Sequence, residues 1–204
     1  MHVVDAGEAL GRLKEGNSRF MAGRIDSRLV NSGAVAPGQE DPRPFAIVLC
    51  SSDARVPPEI LFDQGLGELL VMRTPGNTAT ASRIAAIEAA VERFDSKLVI
   101  VLGNSGCTAV QTVLDQLRQP GDDPAPELDA MVRSIAPAVE DLLSSAAAND
   151  EAALLAQAVE ANILASVENL LHGSEILESR VASAGVLILG AHYGTETGKV
   201  SFFE

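Results

Sequence analysis

Cysteine is scarce in this sequence. Two occur among 204 residues, Cys50 and Cys107. Two cysteines are too few for a disulfide framework and too few for a zinc site made of cysteine alone. A chain of this length buries about 70% of the surface of its unfolded state, so it needs neither a disulfide nor a metal in order to fold. We therefore expect a protein with reduced thiols, located in the cytoplasm.

Cationic residues are few relative to anionic ones. Lys and Arg total 15 against 28 Asp and Glu, which gives a formal net charge of −13. Such an acidic surface repels the phosphates of nucleic acids and the headgroups of anionic lipids, so we expect no nucleic-acid partner and no membrane partner. A small anion could still bind in a locally basic cleft.

Long apolar runs are absent as well. No stretch reaches the ~18 apolar residues of a membrane span, and the first residues, MHVVD, lack the charged-then-apolar pattern of a signal peptide. The glycine patterns of phosphate-binding loops, GxxxxGK[ST] and GxGxxG, do not occur either. The length favours a single domain over residues 1–204, with a helical arm and loop over 1–44 and an α/β core over 45–204.

What the sequence does contain is a series of short, almost continuously apolar runs, separated by segments with helical periodicity. This alternation predicts an α/β fold with a mostly parallel central β-sheet flanked by helices. The predicted strands are 45–50, 69–73, 98–103 and 186–191, with a last extended segment at 200–203. The predicted helices are 5–23 (capped by Asp5, with an apolar stripe that is interrupted at Gly16-Asn17), 57–64, 78–95, 106–117, 128–148, 150–171 and 174–182.

Two polar segments follow predicted strands, and ligands of such sheets bind at the carboxyl ends of the strands. In the first, Asp53 and Arg55 are one residue apart and would share a face, which suits either a catalytic carboxylate or a structural ion pair. In the second, Cys107 opens a predicted helix, where a thiol is activated as a ligand or nucleophile, although an inert buried thiol is the more common case. Cys50 and His192 fit the core or its rim.

These segments also carry a resemblance. The stretch SSDARVPPEILFDQGLGELLVMRTPGN (51–77), followed by VIVLGNSGCTAV (99–110), resembles the β-class carbonic anhydrase family, whose pattern is Cys-x-Asp-x-Arg after one strand and His-x-x-Cys after another. Residues 9–23, Asn162 and residues 190–203 are similar to that family too. The resemblance implies the family's fold, a homodimer or tetramer, and an N-terminal helix that packs on a neighbouring subunit.

The resemblance further implies a zinc site that this sequence does not reproduce. The family holds zinc with two Cys and one His, and the metal lowers the pKa of its bound water so that hydroxide attacks CO₂. Here Ser51 stands at the first Cys position and Asn104 at the His position, while Cys107 matches the second Cys. A hydroxyl and an amide are poor zinc ligands, so we expect no cofactor.

Cys50, Asp53 and His192 are the candidate substitute ligands. Cys50 lies one residue before Ser51, and a shift of one residue turns a strand side chain to the opposite face of the sheet. Asp53 and Arg55 match the family's Asp–Arg dyad, and we expect this dyad to be a buried ion pair at the end of the sheet.

Three functional hypotheses stay open on the sequence. The first is a zinc-free homologue without normal CO₂ hydration, with a regulatory or assembly role, that binds bicarbonate or another small anion in a pocket of Ser51, Asp53, Arg55, Asn104, Gly106 and Cys107. The second is an active carbonic anhydrase that uses an unusual zinc site or a water activated by Asp53. The third is a subunit that assembles with an active paralogue, because the apolar helix 9–21 has no evident partner within the chain.

Overall fold

The computed structural model describes residues 4–25, 43–119, 126–145 and 150–203, and these ranges contain seven α-helices and five β-strands. Most of the predicted loop 24–44 and part of the predicted loop 119–127 lie outside the described residues. The helices are α1 (Ala6–Met21), α2 (Pro58–Leu61), α3 (Ala81–Phe94), α4 (Thr108–Arg118), α5 (Pro126–Val139), α6 (Glu151–His172) and α7 (Glu175–Ala184). The strands are β1 (Ala46–Ser51), β2 (Leu69–Thr74), β3 (Leu98–Asn104), β4 (Leu187–Tyr193) and β5 (Val200–Phe202).

The strands form one sheet in the order β2-β1-β3-β4-β5. Strands β1 to β4 are parallel, and β5 pairs antiparallel with β4. Every residue of β1 and β3 is buried, as expected for central strands of a sheet covered on both faces. The predicted α/β fold with a mostly parallel sheet is confirmed.

Side chains alternate along the strands between two hydrophobic layers. In β1, Ile47 and Leu49 join a cluster that includes apolar residues of α3 to α7. The intervening Val48 and Cys50 join a second cluster, which includes residues of α1 and α2. The sheet is therefore packed between two layers of helices, and its ends are the places where polar side chains emerge.

Helix α1 runs without a break from Ala6 to Met21, within the predicted helix 5–23, and includes Gly16 and Asn17, at which the apolar stripe of the sequence is interrupted. Both residues are buried against the chain itself. A Cβ on Gly16 would lie 1.7 Å from the carbonyl oxygen of Phe62, so only glycine permits this approach. The side chain of Asn17 donates to the carbonyls of Leu61 and Gly198 at 3.1 and 2.9 Å. The two residues that interrupt the apolar stripe therefore belong to the contact surface of the helix.

It follows that α1 has a partner within the chain, contrary to expectation. Its apolar residues Ala9 and Leu13 are fully buried in the second hydrophobic cluster, which also contains residues of β1, β3 and α2. Arg19 of the same helix forms an ion pair with Asp63, just beyond α2. Any packing of α1 on a neighbouring subunit must therefore use the part of the helix that these contacts leave exposed.

The helical region after β3 differs in its boundaries from the prediction. The helix predicted over 128–148 ends at Val139 and continues as a 3₁₀ helix, Glu140–Ser144, and residues 146–149 are outside the described ranges. Asp150 caps α6 by accepting from the backbone N–H groups of Ala152 and Ala153. Among the described residues, no helix combines the length and apolar character needed to cross a membrane.

Candidate active site

The candidate site lies at the carboxyl ends of β1 and β3. Ser51 is the last residue of β1 and Asn104 the last of β3. Cys107 is the N-cap of α4, three residues beyond Asn104. Gly106 has a φ of 64°, a left-handed conformation that glycine adopts without strain, and it turns the chain from β3 into α4. Because β1 and β3 are neighbours in a parallel sheet, their polar ends meet.

Asp53 and Arg55 form a bidentate ion pair at this edge. Arg55 donates from Nε to Asp53 Oδ1 at 3.1 Å and from its terminal nitrogen to Oδ2 at 2.6 Å. Hydrogen bonding from the Arg55 side chain is the main cause that lowers the pKa of Asp53 to about 2. The Arg55 side chain is 57% exposed and that of Asp53 10%, so the expected buried pair is buried only on its carboxylate side.

Asn104 connects β3 to this pair. Its Nδ2 donates to Asp53 Oδ2 at 3.3 Å and to the carbonyl of Ser105 at 3.1 Å. Its Oδ1 is buried and has no hydrogen-bond partner among the described residues. Buried polar atoms almost always have a hydrogen-bond partner, so this acceptor is suited to receive a hydrogen bond from a water or a ligand.

Ser51 and Cys107 face each other beside the ion pair. Ser51 Oγ lies 4.0 Å from Cys107 Sγ and accepts a hydrogen bond from the backbone N–H of Asp53 at 3.2 Å. Both residues are almost completely buried. The structure thus brings together five of the predicted pocket residues, and Gly106 contributes its carbonyl oxygen 3.5 Å from Arg55.

Arg73, at the end of β2, is a site residue that the sequence reasoning missed. Its terminal nitrogen donates to the carbonyl of Asp53 at 2.5 Å, and its Nε donates to the carbonyl of Ser51 at 3.4 Å. The available signal was a single cation in an otherwise uncharged strand, next to a strand that ends in the site. Two arginines therefore contact Asp53, Arg55 at the side-chain carboxylate and Arg73 at the backbone carbonyl.

Asn162 supports the site from α6. Its Nδ2 donates to the carbonyl of Gly76 at 2.6 Å, and both residues are buried. Gly76 belongs to a 3₁₀ turn, Pro75–Asn77, which follows β2 and contacts β1, β3 and α4. The amide therefore holds this turn against the carboxyl ends of the central strands.

Two of the candidate substitute ligands lie apart from this cluster. Cys50 belongs to the hydrophobic layer on the α1 side of the sheet, whereas Cys107 belongs to the opposite layer. Burial is the main cause that raises the pKa of the Cys50 thiol to about 12. His192 is half-buried, its Nε2 lies 3.1 Å from Ser105 Oγ, and burial lowers its pKa. Within the described residues, no cluster of three or more His, Cys, Asp or Glu side chains is placed to hold a metal ion.

Comparison with known proteins shows to which family this chain belongs. The sequence profile of the carbonic anhydrase family matches residues 46–200, most of the chain. Carbonic anhydrase 2 of Mycobacterium tuberculosis is 33% identical over 190 residues, which cover 92% of this chain and 87% of the relative. The chain belongs to the β-carbonic anhydrase family.

Solved β-carbonic anhydrases share the fold. The β-carbonic anhydrase CcaA superposes with a TM-score of 0.70 at 25% identity, over 96% of this chain and 95% of that chain. A tetrameric β-carbonic anhydrase from Sordaria macrospora superposes with a TM-score of 0.68 at 19% identity, over 79% of this chain and 81% of that chain. The β-carbonic anhydrase fold thus extends over nearly the whole described chain.

Proposed function

We propose that this member of the β-carbonic anhydrase family does not bind zinc through the family's ligand set, lacks normal CO₂ hydration, and uses its pocket to bind a small anion such as bicarbonate. The observation that carries the proposal is the chemistry of the donors at the carboxyl ends of β1 and β3. The positions that the resemblance assigns to a thiolate and an imidazole are occupied by the hydroxyl of Ser51 and the amide of Asn104.

These donors do not fit zinc. A zinc site in this family needs two thiolates and one imidazole, and neutral hydroxyl and amide oxygens are much weaker ligands for that metal. Cys107 is the one thiol in the cluster, and both carboxylate oxygens of Asp53 already accept hydrogen bonds from Arg55. The cluster therefore lacks two of the three donors that the family's zinc chemistry requires.

The alternative is an active carbonic anhydrase with substitute ligands or with a metal-free activated water. Cys50 is a poor substitute, because it faces the opposite layer and its raised pKa keeps the thiol protonated at neutral pH. His192 contacts Ser105 instead of the cluster. Asp53, with a pKa of about 2, is too weak a base to activate water efficiently near neutral pH, since the best general bases have pKa values near the working pH.

The local charge supports a monoanion. Arg55 and Arg73 both contact Asp53, so the cluster combines two cations with one carboxylate. Arg55 is also the exposed member of the ion pair, so its guanidinium is accessible to solvent. In a chain with a net charge of −13, such a cationic excess is local and suits a small anion better than an extended polyanion.

An assembly role is the second part of the proposal. Four large apolar side chains on α1, α2 and the segments that follow them are 42–63% exposed, namely Met21, Ile25, Ile60 and Leu66. They favour contact with another subunit. A homodimer or tetramer, of which the Sordaria macrospora protein is an example, or a mixed assembly with an active paralogue would cover them. The two free cysteines suit the cytoplasm as the proposed location.

The deciding experiment is a measurement of metal content on protein purified without chelator, combined with stopped-flow CO₂ hydration on the same sample. We expect far less than one zinc per chain and no hydration above the buffer rate. One zinc per chain with a substantial rate would overturn the proposal and would indicate that a substitute ligand has been recruited. Hydration by metal-free protein that disappears in Asp53→Asn would instead support a water activated by Asp53.

A further inference from the structure

The orientation of the Asn104 amide is fixed by its partners. The two groups that receive hydrogen bonds from it, Asp53 Oδ2 and the carbonyl of Ser105, can only accept at neutral pH. The NH₂ end must therefore face them, and Oδ1 must face away. Asn104 is 0% exposed, and its Oδ1 has no partner among the described residues. The cluster thus presents a buried acceptor that requires a hydrogen-bond donor.

The other unpartnered polar atoms lie at the same end of the sheet. Among the described residues, the buried side-chain nitrogen and oxygen atoms without a hydrogen-bond partner are Asn104 Oδ1, Thr74 Oγ1 and Asn77 Nδ2. Thr74 pairs with Ser51 across β1 and β2. Asn77 Oδ1 lies 3.3 Å from the point where a Cβ on Gly103 would sit, next to Asn104. Buried groups of this kind are normally satisfied by a polar ligand or a water, so this end of the sheet is the place in the described chain best suited to bind one.

We propose that Asn104 makes the pocket selective for an oxyanion that still carries a proton. Its Oδ1 accepts the hydrogen of the bicarbonate hydroxyl, while the guanidinium of Arg55 and the hydroxyl of Ser51 serve the unprotonated oxygens. This inference rests on the anion-binding function proposed above and adds its specificity. Asn104 occupies one of the two positions at which this chain departs from the zinc-binding pattern.

Nitrate is the probe that isolates the hydrogen bond from the anion to Asn104 Oδ1. It has the charge and the planar three-oxygen shape of bicarbonate but no hydrogen, so it would leave Asn104 Oδ1 without a donor. A site built to hydrogen-bond a hydroxyl discriminates against an analogue that lacks it, because a buried group is left unpaired. The expected preference for bicarbonate over nitrate is about tenfold or more in Kd.

The experiment is a titration of the full-length protein with sodium bicarbonate and, separately, sodium nitrate at matched ionic strength in mildly alkaline buffer. Binding is followed by NMR shifts of ¹⁵N-labelled backbone and side-chain amides. The test variants are Asn104→Leu, of similar shape without an acceptor, and Asn104→Ala, which fits if leucine does not. Ser96→Ala is the matched control, because it removes a different buried hydrogen bond (to Pro44) before the opposite end of β3.

We expect the wild type and Ser96→Ala to prefer bicarbonate, and the Asn104 variants to bind both anions equally. Equal binding of the two anions by the wild type would overturn the selectivity while leaving anion binding intact, and would mean that a water serves Oδ1. A preference that survives in the folded Asn104 variants would overturn the role of this residue. Binding of neither anion would overturn both the inference and the proposed function.

Discussion

The double substitution Ser51→Cys with Asn104→His tests whether restoring the family's two replaced ligands is enough to restore zinc binding. Ser51 Oγ lies 4.0 Å from Cys107 Sγ. Two thiolates on a tetrahedral zinc, with Zn–S bonds of 2.3 Å, are about 3.8 Å apart. The backbone positions of β1 and α4 therefore already suit a thiolate pair, and we expect the double variant to bind one zinc per chain.

The expected rise in Tm follows from the stabilisation that a ligand gives to the folded state when it binds only that state. At free zinc about 100 times the Kd, binding to the folded state stabilises it by about 2.7 kcal/mol. For a chain of this size, each kcal/mol raises Tm by about 2–4 °C, so zinc should raise the Tm of the double variant by about 5–10 °C. Histidine at the fully buried position 104 can cost about 1–3 kcal/mol through overpacking. Comparing the same variant with and without zinc cancels that cost.

The assay is thermal unfolding with and without zinc, in a reductant that prevents a disulfide between the introduced thiol and Cys107, followed by metal analysis after gel filtration. Each single substitution should bind zinc much more weakly than the pair. In the double variant, Cys107→Ala should abolish binding and Cys50→Ala should preserve it, because Cys50 faces the other layer of the core. A folded double variant that takes up no zinc would show that the positions assigned to Ser51 and Asn104 are wrong.

Two further predictions concern stability. Gly16→Ala should lower the free energy of unfolding, measured in urea, by about 1–3 kcal/mol, because the added Cβ would meet the carbonyl of Phe62. Gly11→Ala in the same helix has open space around it and should be neutral or stabilising. Equal effects of the two substitutions would contradict the tight contact at Gly16. The pKa of Asp53 is lowered from 3.8 to about 2, so its contribution to stability is complete above about pH 4 and is lost as the pH falls toward 2. Asp53→Asn should therefore make Tm less sensitive to acid between about pH 4 and pH 2. A dependence of Tm on pH that is the same in the variant and the wild type would refute the ion pair.

Part of the site was predictable from local sequence. The apolar runs 45–50 and 98–103 predicted two buried strands, and the polar residues that follow them predicted a site at the carboxyl ends of the strands. That these two strands are neighbours is seen only in the sheet itself. The spacing of Asp53 and Arg55 predicted their pairing. Arg73 escaped prediction, because its relation to Asp53 arises from the pairing of β2 with β1, and no local pattern encodes which strand lies beside which.

The sequence by itself determined the α/β architecture, which follows from the periodicity of its apolar residues. It also indicated the family through the motifs that resemble it, and with that resemblance the chemical identity of the donors at the ligand positions. Tertiary structure decided which groups are buried and which are left without partners. It placed Gly16 and Asn17, which interrupt the apolar stripe of α1, in the contact surface of that helix. It exposed Arg55 while burying the carboxylate that Arg55 binds, and among the described residues it left the Oδ1 of Asn104 without a partner. Burial and hydrogen-bond satisfaction depend on neighbours that are distant in the chain, so only the folded arrangement determines them.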